Sequence, residues 1–370
     1  MIFFFYFAGT GSITPFLNLI FQQKGIPLEQ ISILAAITMG MGLLATPIWA
    51  GLADVFNLHK RLLPFLMLMS IPFLVLIAIS NSFLIILLIV LLFAFCYSPL
   101  LTLVDNAILL FLNDKRYLYG RSRLWGSIGW GLIGWVMGIL MKPFGVNITY
   151  VGYIVFILVS AGLSLKLPEL ERISSTSYWQ DMRKLSQERR WYSFLAAALL
   201  AGAGMAMITA YLIIYLKELG ASSSLQGLSV AIMVVLELPF FFFSSQLLKR
   251  YSKTSLIQIG MVMLIARLLL LSFLRDPIMV VAVQLLHGPY LSLFWTAGVN
   301  YASDLAPPGL SASAQGLLGA VFFGMAGILG SFGGGMLFAR LGAANMFLVG
   351  AIAGLLGLII FSWPRKTPAQ

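Results

Sequence analysis

Apolar runs of about 20 residues follow one another along almost the whole chain, and a helix of that length spans the ~30 Å hydrocarbon layer of a bilayer. They centre on residues 1–22, 28–52, 62–80, 83–109, 121–141 and 148–166, then on 192–216, 224–248, 255–274, 277–299, 311–338 and 342–362. Only 9% of the 370 residues are charged and 60% are hydrophobic, whereas a soluble domain carries roughly 25% charge. The chain therefore lacks the polar surface that would keep it in water. Its net charge of +11 does not point to nucleic acid, because that reading needs a basic patch on a polar domain. The expected fold is an all-α membrane protein with 12 transmembrane helices in two six-helix halves, residues 1–167 and 191–370. A polar linker at 168–190, with Glu169, Glu171, Arg172, Asp181, Arg183 and Lys184, joins them. Two such halves are a common build for transporters.

The basic residues orient this plan. With the N-terminus inside, 17 Lys and Arg fall on inner segments and 5 on outer ones, with Arg267 alone within a span. The positive-inside rule then places both termini in the cytoplasm of a multi-pass protein of the plasma or inner membrane. The opening Met1-Ile2-Phe3-Phe4-Phe5-Tyr6 has neither the basic leader nor the cleavage site of a signal peptide, so none is expected. Cys96 is the single cysteine, which rules out an intrachain disulfide. Glycines recur every three or four residues at Gly126, Gly129, Gly131, Gly134 and Gly138, and again from Gly316 to Gly335. Small residues at that spacing let helices approach closely, either as static packing or as surfaces that move during gating.

Polar residues inside greasy spans are costly against lipid, so each polar stripe should face a neighbouring helix or a watery cavity. Thr10, Thr14, Asn18 and Gln22 recur every four residues in the first span, Ser98, Thr102 and Asp105 share a face of the fourth, and Gln284, His287 and Tyr290 do so in the tenth. Arg123 and Trp130 lie seven apart, hence on one face about two turns from each other. Glu237, Arg267 and His287 each sit near the middle of a span. Opposite charges on the eighth and ninth spans suggest a Glu237–Arg267 pair, structural or functional. Glu237 is the acid at mid-membrane depth and so the candidate proton carrier.

Two motifs carry a family resemblance. Pro47-Ile-Trp-Ala-Gly51-Leu-Ala-Asp54 followed by His59-Lys60-Arg61 resembles the loop signature between helices 2 and 3 of the major facilitator superfamily. That resemblance implies gating roles for Asp54 and Arg61, the alternative for Asp54 being a solvated helix end. Ser98-Pro99-Leu-Leu-Thr102-Leu-Val-Asp105-Asn106 with Tyr119-Gly120-Arg121-Ser122-Arg123-Leu124-Trp125-Gly126-Ser127-Ile-Gly129-Trp130 is similar to the phenylpropionate-permease-like branch and to the related lactose permease family. The resemblance implies that Asp105, Arg123 and Trp130 bind substrate, and that Arg267 and His287 belong to proton-coupling machinery. Asn18 joins the substrate-binding set from its stripe. Tyr290 stands where the lactose permeases carry a glutamate, which favours the phenylpropionate-like branch. Asp105 could instead simply neutralise Arg121 or Arg123.

The expected function is secondary transport by alternating access: proton-coupled symport of a small organic solute, with proton-coupled multidrug efflux by antiport as the alternative. An organic acid is favoured if Arg123 and Arg267 both face the cavity, since a guanidinium binds a carboxylate in bidentate fashion; a sugar or nucleoside is the other option. The partners are that solute, protons and the lipid bilayer, and the chain is expected to act as a monomer. No cofactor is expected beyond the proton gradient. No phosphate-cradling Gly-Lys-Ser/Thr loop is present. His59 and His287 are too few for a clustered metal site. An enzyme is not expected.

Overall fold

The computed structural model describes residues 1–56, 59–112, 119–166, 189–306 and 310–363, and among these the secondary structure is helical throughout. In hydrocarbon a backbone amide has no water to bond, and a helix satisfies its N–H and C=O groups within one segment. Among the described residues, ten helical runs are long and apolar enough to cross a membrane. They are α1 (Ile2–Gln23), α2 (Leu28–Trp49), α3 (Arg61–Ile79), α4 (Phe83–Asp105), α5 (Ser122–Phe144), α7 (Arg190–Glu218), α8 (Ser223–Phe242), α9 (Lys253–Phe273), α10 (Pro277–Leu305) and α11 (Ser313–Ser362). A shorter apolar helix, α6 (Ile148–Ser164), lies between α5 and α7. The sequence separates residues 311–338 from 342–362. The structure runs them together as α11 and turns the chain at Gly342 alone, whose φ of 82° is open to glycine and strained for other residues. The linker is expected at 168–190, but residues 167–188 lie outside the described residues.

Helix starts are marked by side chains that accept the free amides of the first turn. Ser222 does this for α8, Ser252 for α9 and Asp276, followed by Pro277, for α10. Lys24, just past α1, donates to the carbonyls of Ala78 and Ser80 at 2.7 Å each and so caps the end of α3.

Two glycine-lined seams, α5 on α8 and α2 on α11, join the N-terminal helices α1 to α6 to the C-terminal helices α7 to α11, the two halves expected from the sequence. A Cβ added to Gly138 would stand 2.6 Å from Gly227 Cα, so the two backbones touch there. Gly134 and Gly131 meet Val230 and Val234 along the same seam, and on the other seam Gly40 meets Ile328, Gly327 meets Met39 and Gly324 meets Leu43. Near the same end as Gly138, Asn18 Nδ2 donates to the Ala210 carbonyl of α7 at 2.9 Å. The halves are drawn together at this end, where α1 and α7 finish and α2 and α8 begin. Toward the opposite end Asp105 and Arg123 keep side-chain exposures of 29% and 34%.

Candidate functional site

Prolines inside the spans decide where the polar side chains gather. A proline lacks the amide its helix needs and clashes with the carbonyl four residues back. Pro15 loosens α1 beside Thr14. Pro239 follows Glu237 at the place where α8 breaks into two helical pieces at Leu236. Pro289 follows His287, and the preceding turn, Gln284–Leu286, tightens into a 3-10 helix. Each break puts a polar group where the backbone is already irregular, at the depth where a membrane helix is otherwise uniformly apolar.

The three central charged or ionisable groups are brought together, though not in the order expected. Arg267 is 1% exposed. Its Nε donates to Gln284 Oε1 at 3.2 Å, Nη2 donates to the same oxygen, and Nη1 lies 2.8 Å from His287 Nδ1. Gln284 is itself held by its Nε2 on the Val280 carbonyl at 2.6 Å. A guanidinium only donates, so Nδ1 accepts and neutral His287 carries its proton on Nε2. That nitrogen faces Glu237 Oε2 at 4.0 Å. The direct Glu237–Arg267 pair read from the sequence is therefore replaced by a chain in which His287 stands between them. The cause is topological, because α10 packs against both α8 and α9. Gly288 permits this: a Cβ there would collide with the backbone at Leu236 and Glu237.

Glu237 also reaches across to the other half. Ser127 Oγ of α5 donates to Glu237 Oε1 at 3.0 Å, while Ser292 Oγ of α10 donates to the Glu237 carbonyl at 3.3 Å. The Glu237 side chain is 14% exposed. Ser127 stands within the quoted α5 motif but drew no role from the sequence, since a serine in a span usually bonds its own helix.

Toward the end away from Asn18, Arg123 Nε approaches Asp105 Oδ1 at 4.0 Å. Its guanidinium also lies over the Phe7 and Phe3 rings of α1, with Cζ 4.1 and 5.6 Å from their centroids. Trp130, two turns along, directs its indole Nε1 at Thr14 Oγ1 across 3.4 Å. Arg123, Asp105 and Trp130 thus share one wall of the N-terminal half. Asn18 belongs elsewhere, in the closed end with Ala210. Asp54 falls in a helix, Gly42–Phe56, but its side chain lies outside the described residues, as do Asn57 and Leu58. Arg61 is exposed at the start of α3. The expected gating contact of Asp54 thus also lies outside the described residues.

The sequence matches a family over residues 1–349. The chain belongs to the MFS_1 like family. Relatives span its full length. It is 23% identical over 377 residues to the maltose permease of Geobacillus stearothermophilus, covering 100% of this chain and 95% of that one. It is 24% identical over 357 residues to the uncharacterized transporter YwbF of Bacillus subtilis, covering 95% and 89%. Among solved structures, the nucleoside transporter NupG superposes with a TM-score of 0.85 at 18% identity, covering 98% of each chain. The protein is a multi-pass cell-membrane transporter of the major facilitator type, a secondary transporter and not an enzyme.

Proposed function

We propose that this transporter is a proton-coupled symporter of a small hydroxylated solute, a sugar or nucleoside in class, working as a monomer by rocking its halves. The observation that carries the reading is the Ser127–Glu237 hydrogen bond, made between halves at a carboxylate that His287 also faces. A central charge costs roughly 2.5–3.5 kcal/mol even on lenient insertion scales. Taking up a proton relieves that cost and weakens the acceptor that Ser127 holds, so protonation bears on how firmly the halves are joined. Divided at Gly342, α11 supplies two crossings, and with α6 this gives twelve, both termini being cytoplasmic. The closed end would then face outward and the Asp105–Arg123 end inward.

The substrate class differs from the organic acid that two cavity arginines would favour. Arg267 is spent on Gln284 and His287, which leaves Arg123 as the cation bordering the cleft among the described residues, beside Asp105 and below Glu237. One cation with two acids suits donor and acceptor hydroxyls better than a net anion. The resemblance of the α4–α5 motif to the lactose permeases, and a maltose permease among the relatives, support the same class.

Proteoliposomes holding the full chain test this directly. An inward proton gradient should drive concentrative uptake of radiolabelled maltose or uridine, collapsed by a protonophore and indifferent to sodium. Uptake driven by a sodium gradient and untouched by the protonophore would reject proton coupling.

A further inference from the structure

We infer that Phe7 is a positioning residue for Arg123, its ring face fixing the guanidinium in the substrate cleft more firmly than the Asp105 carboxylate does. Three observations meet here. The guanidinium carbon lies 4.1 Å from the Phe7 centroid, closer than the usual outer limit of about 6 Å for a cation over an aromatic ring. Phe3, one helical turn earlier on α1, adds a second ring at 5.6 Å. The carboxylate approach, by contrast, is only 4.0 Å from nitrogen to oxygen, well beyond the 2.7–2.9 Å of a charge-assisted hydrogen bond.

Gly126 shows that the arrangement is built into the packing. A Cβ there would come within 2.6 Å of Phe7 Cδ2 and 3.0 Å of Arg123 Nη1. The missing side chain, one turn of α5 beyond Arg123, is what lets ring and guanidinium stack. Gly129 brings α5 against the Phe4 carbonyl of α1 as well, so the two helices are fixed at the spacing the stack requires.

The consequence concerns how a solute enters. An arginine locked to its aspartate by two short hydrogen bonds would have to be torn open. An arginine shelved on a ring keeps its N–H edge free to turn toward a hydroxyl, because the ring face binds the charge and takes up none of the donors in the guanidinium plane. Phe7 then sets the orientation of Arg123 and Asp105 sets the charge balance. This inference rests on the proposed placement of Arg123 in the substrate cleft, but its geometry can be read without any solute.

The test is the reactivity of Arg123 toward the water-soluble arginine reagent p-hydroxyphenylglyoxal. The full chain is reconstituted in proteoliposomes, and adducts are quantified by peptide mass spectrometry with exposed Arg61 as the internal reference. Phe7→Leu keeps the bulk and removes the ring, and should raise the Arg123-to-Arg61 modification ratio by about two- to fivefold, the range expected for losing an exposed cation–ring contact. Phe7→Tyr keeps the ring face and should restore the wild-type ratio, which a purely space-filling role would not require. Gly126→Ala, which pushes ring and guanidinium apart, should behave like Phe7→Leu, and Asp105→Asn should change the ratio less than either. Equal ratios in wild type and Phe7→Leu, or a larger rise in Asp105→Asn than in Phe7→Leu, would overturn the inference. If neither maltose nor uridine is taken up by the wild type, the functional reading fails while the adduct ratio still decides this one.

Discussion

Glu237→Gln is expected to abolish accumulation against a gradient while leaving solute exchange across the membrane largely intact. Glutamine keeps the size of the side chain and an oxygen for the Ser127 hydroxyl that now bonds Glu237 Oε1 at 3.0 Å. What it loses is the ability to load and release a proton. One proton moving through 100 mV supplies about 2.3 kcal/mol, enough for roughly a 50-fold solute gradient. In the variant that ratio should fall to about one, while counterflow of labelled against unlabelled solute persists in the same proteoliposomes. Undiminished uphill accumulation would remove Glu237 from the coupling step. Loss of both accumulation and exchange would assign it to solute binding instead.

The second large effect is mechanical. Gly138→Val should hold the α5–α8 seam open and stop net transport. The Cβ alone would press on Gly227 Cα at 2.6 Å and on the Ser223 carbonyl at 2.7 Å. These are backbone atoms with no rotamer to yield, so the seam itself must part. Overpacking of this kind costs about 1–3 kcal/mol, which shifts a two-state balance by about five- to 150-fold toward the conformation in which α5 and α8 are separated. Val230 is buried on this seam against Gly134, which makes it a reporter. With Cys96 replaced by serine, a cysteine at 230 should react with a membrane-impermeant maleimide far faster when Gly138→Val is present. Unchanged labelling and unchanged uptake would show that the seam flexes by another route.

The sequence alone carries the membrane class, most of the long apolar helices and the glycine surfaces, because these depend on local quantities. Hydropathy over 20 residues, a glycine every three or four positions and a proline within a span act through the segment that holds them, whatever lies beside it. The central polar residues were legible for a related reason: a charge in hydrocarbon is expensive enough that Glu237, Arg267 and His287 must share an environment. Their connectivity was not legible. Consecutive numbering suggested that α8 and α9 would be neighbours in space and would pair their charges. Gly288 instead lets α10 come against the backbone of α8, which puts His287 between Glu237 and Arg267 and withdraws Arg267 from the cleft. Asn18 likewise read as part of a polar stripe facing a neighbouring helix or a cavity, and which of these it meets came only from the structure: it bonds Ala210 of α7. Ser127 gave no signal because its partner is 110 positions away on the other half. A one-dimensional pattern records what a residue costs in lipid. Which partner offsets that cost depends on helix order in space, and a single missing Cβ can decide it.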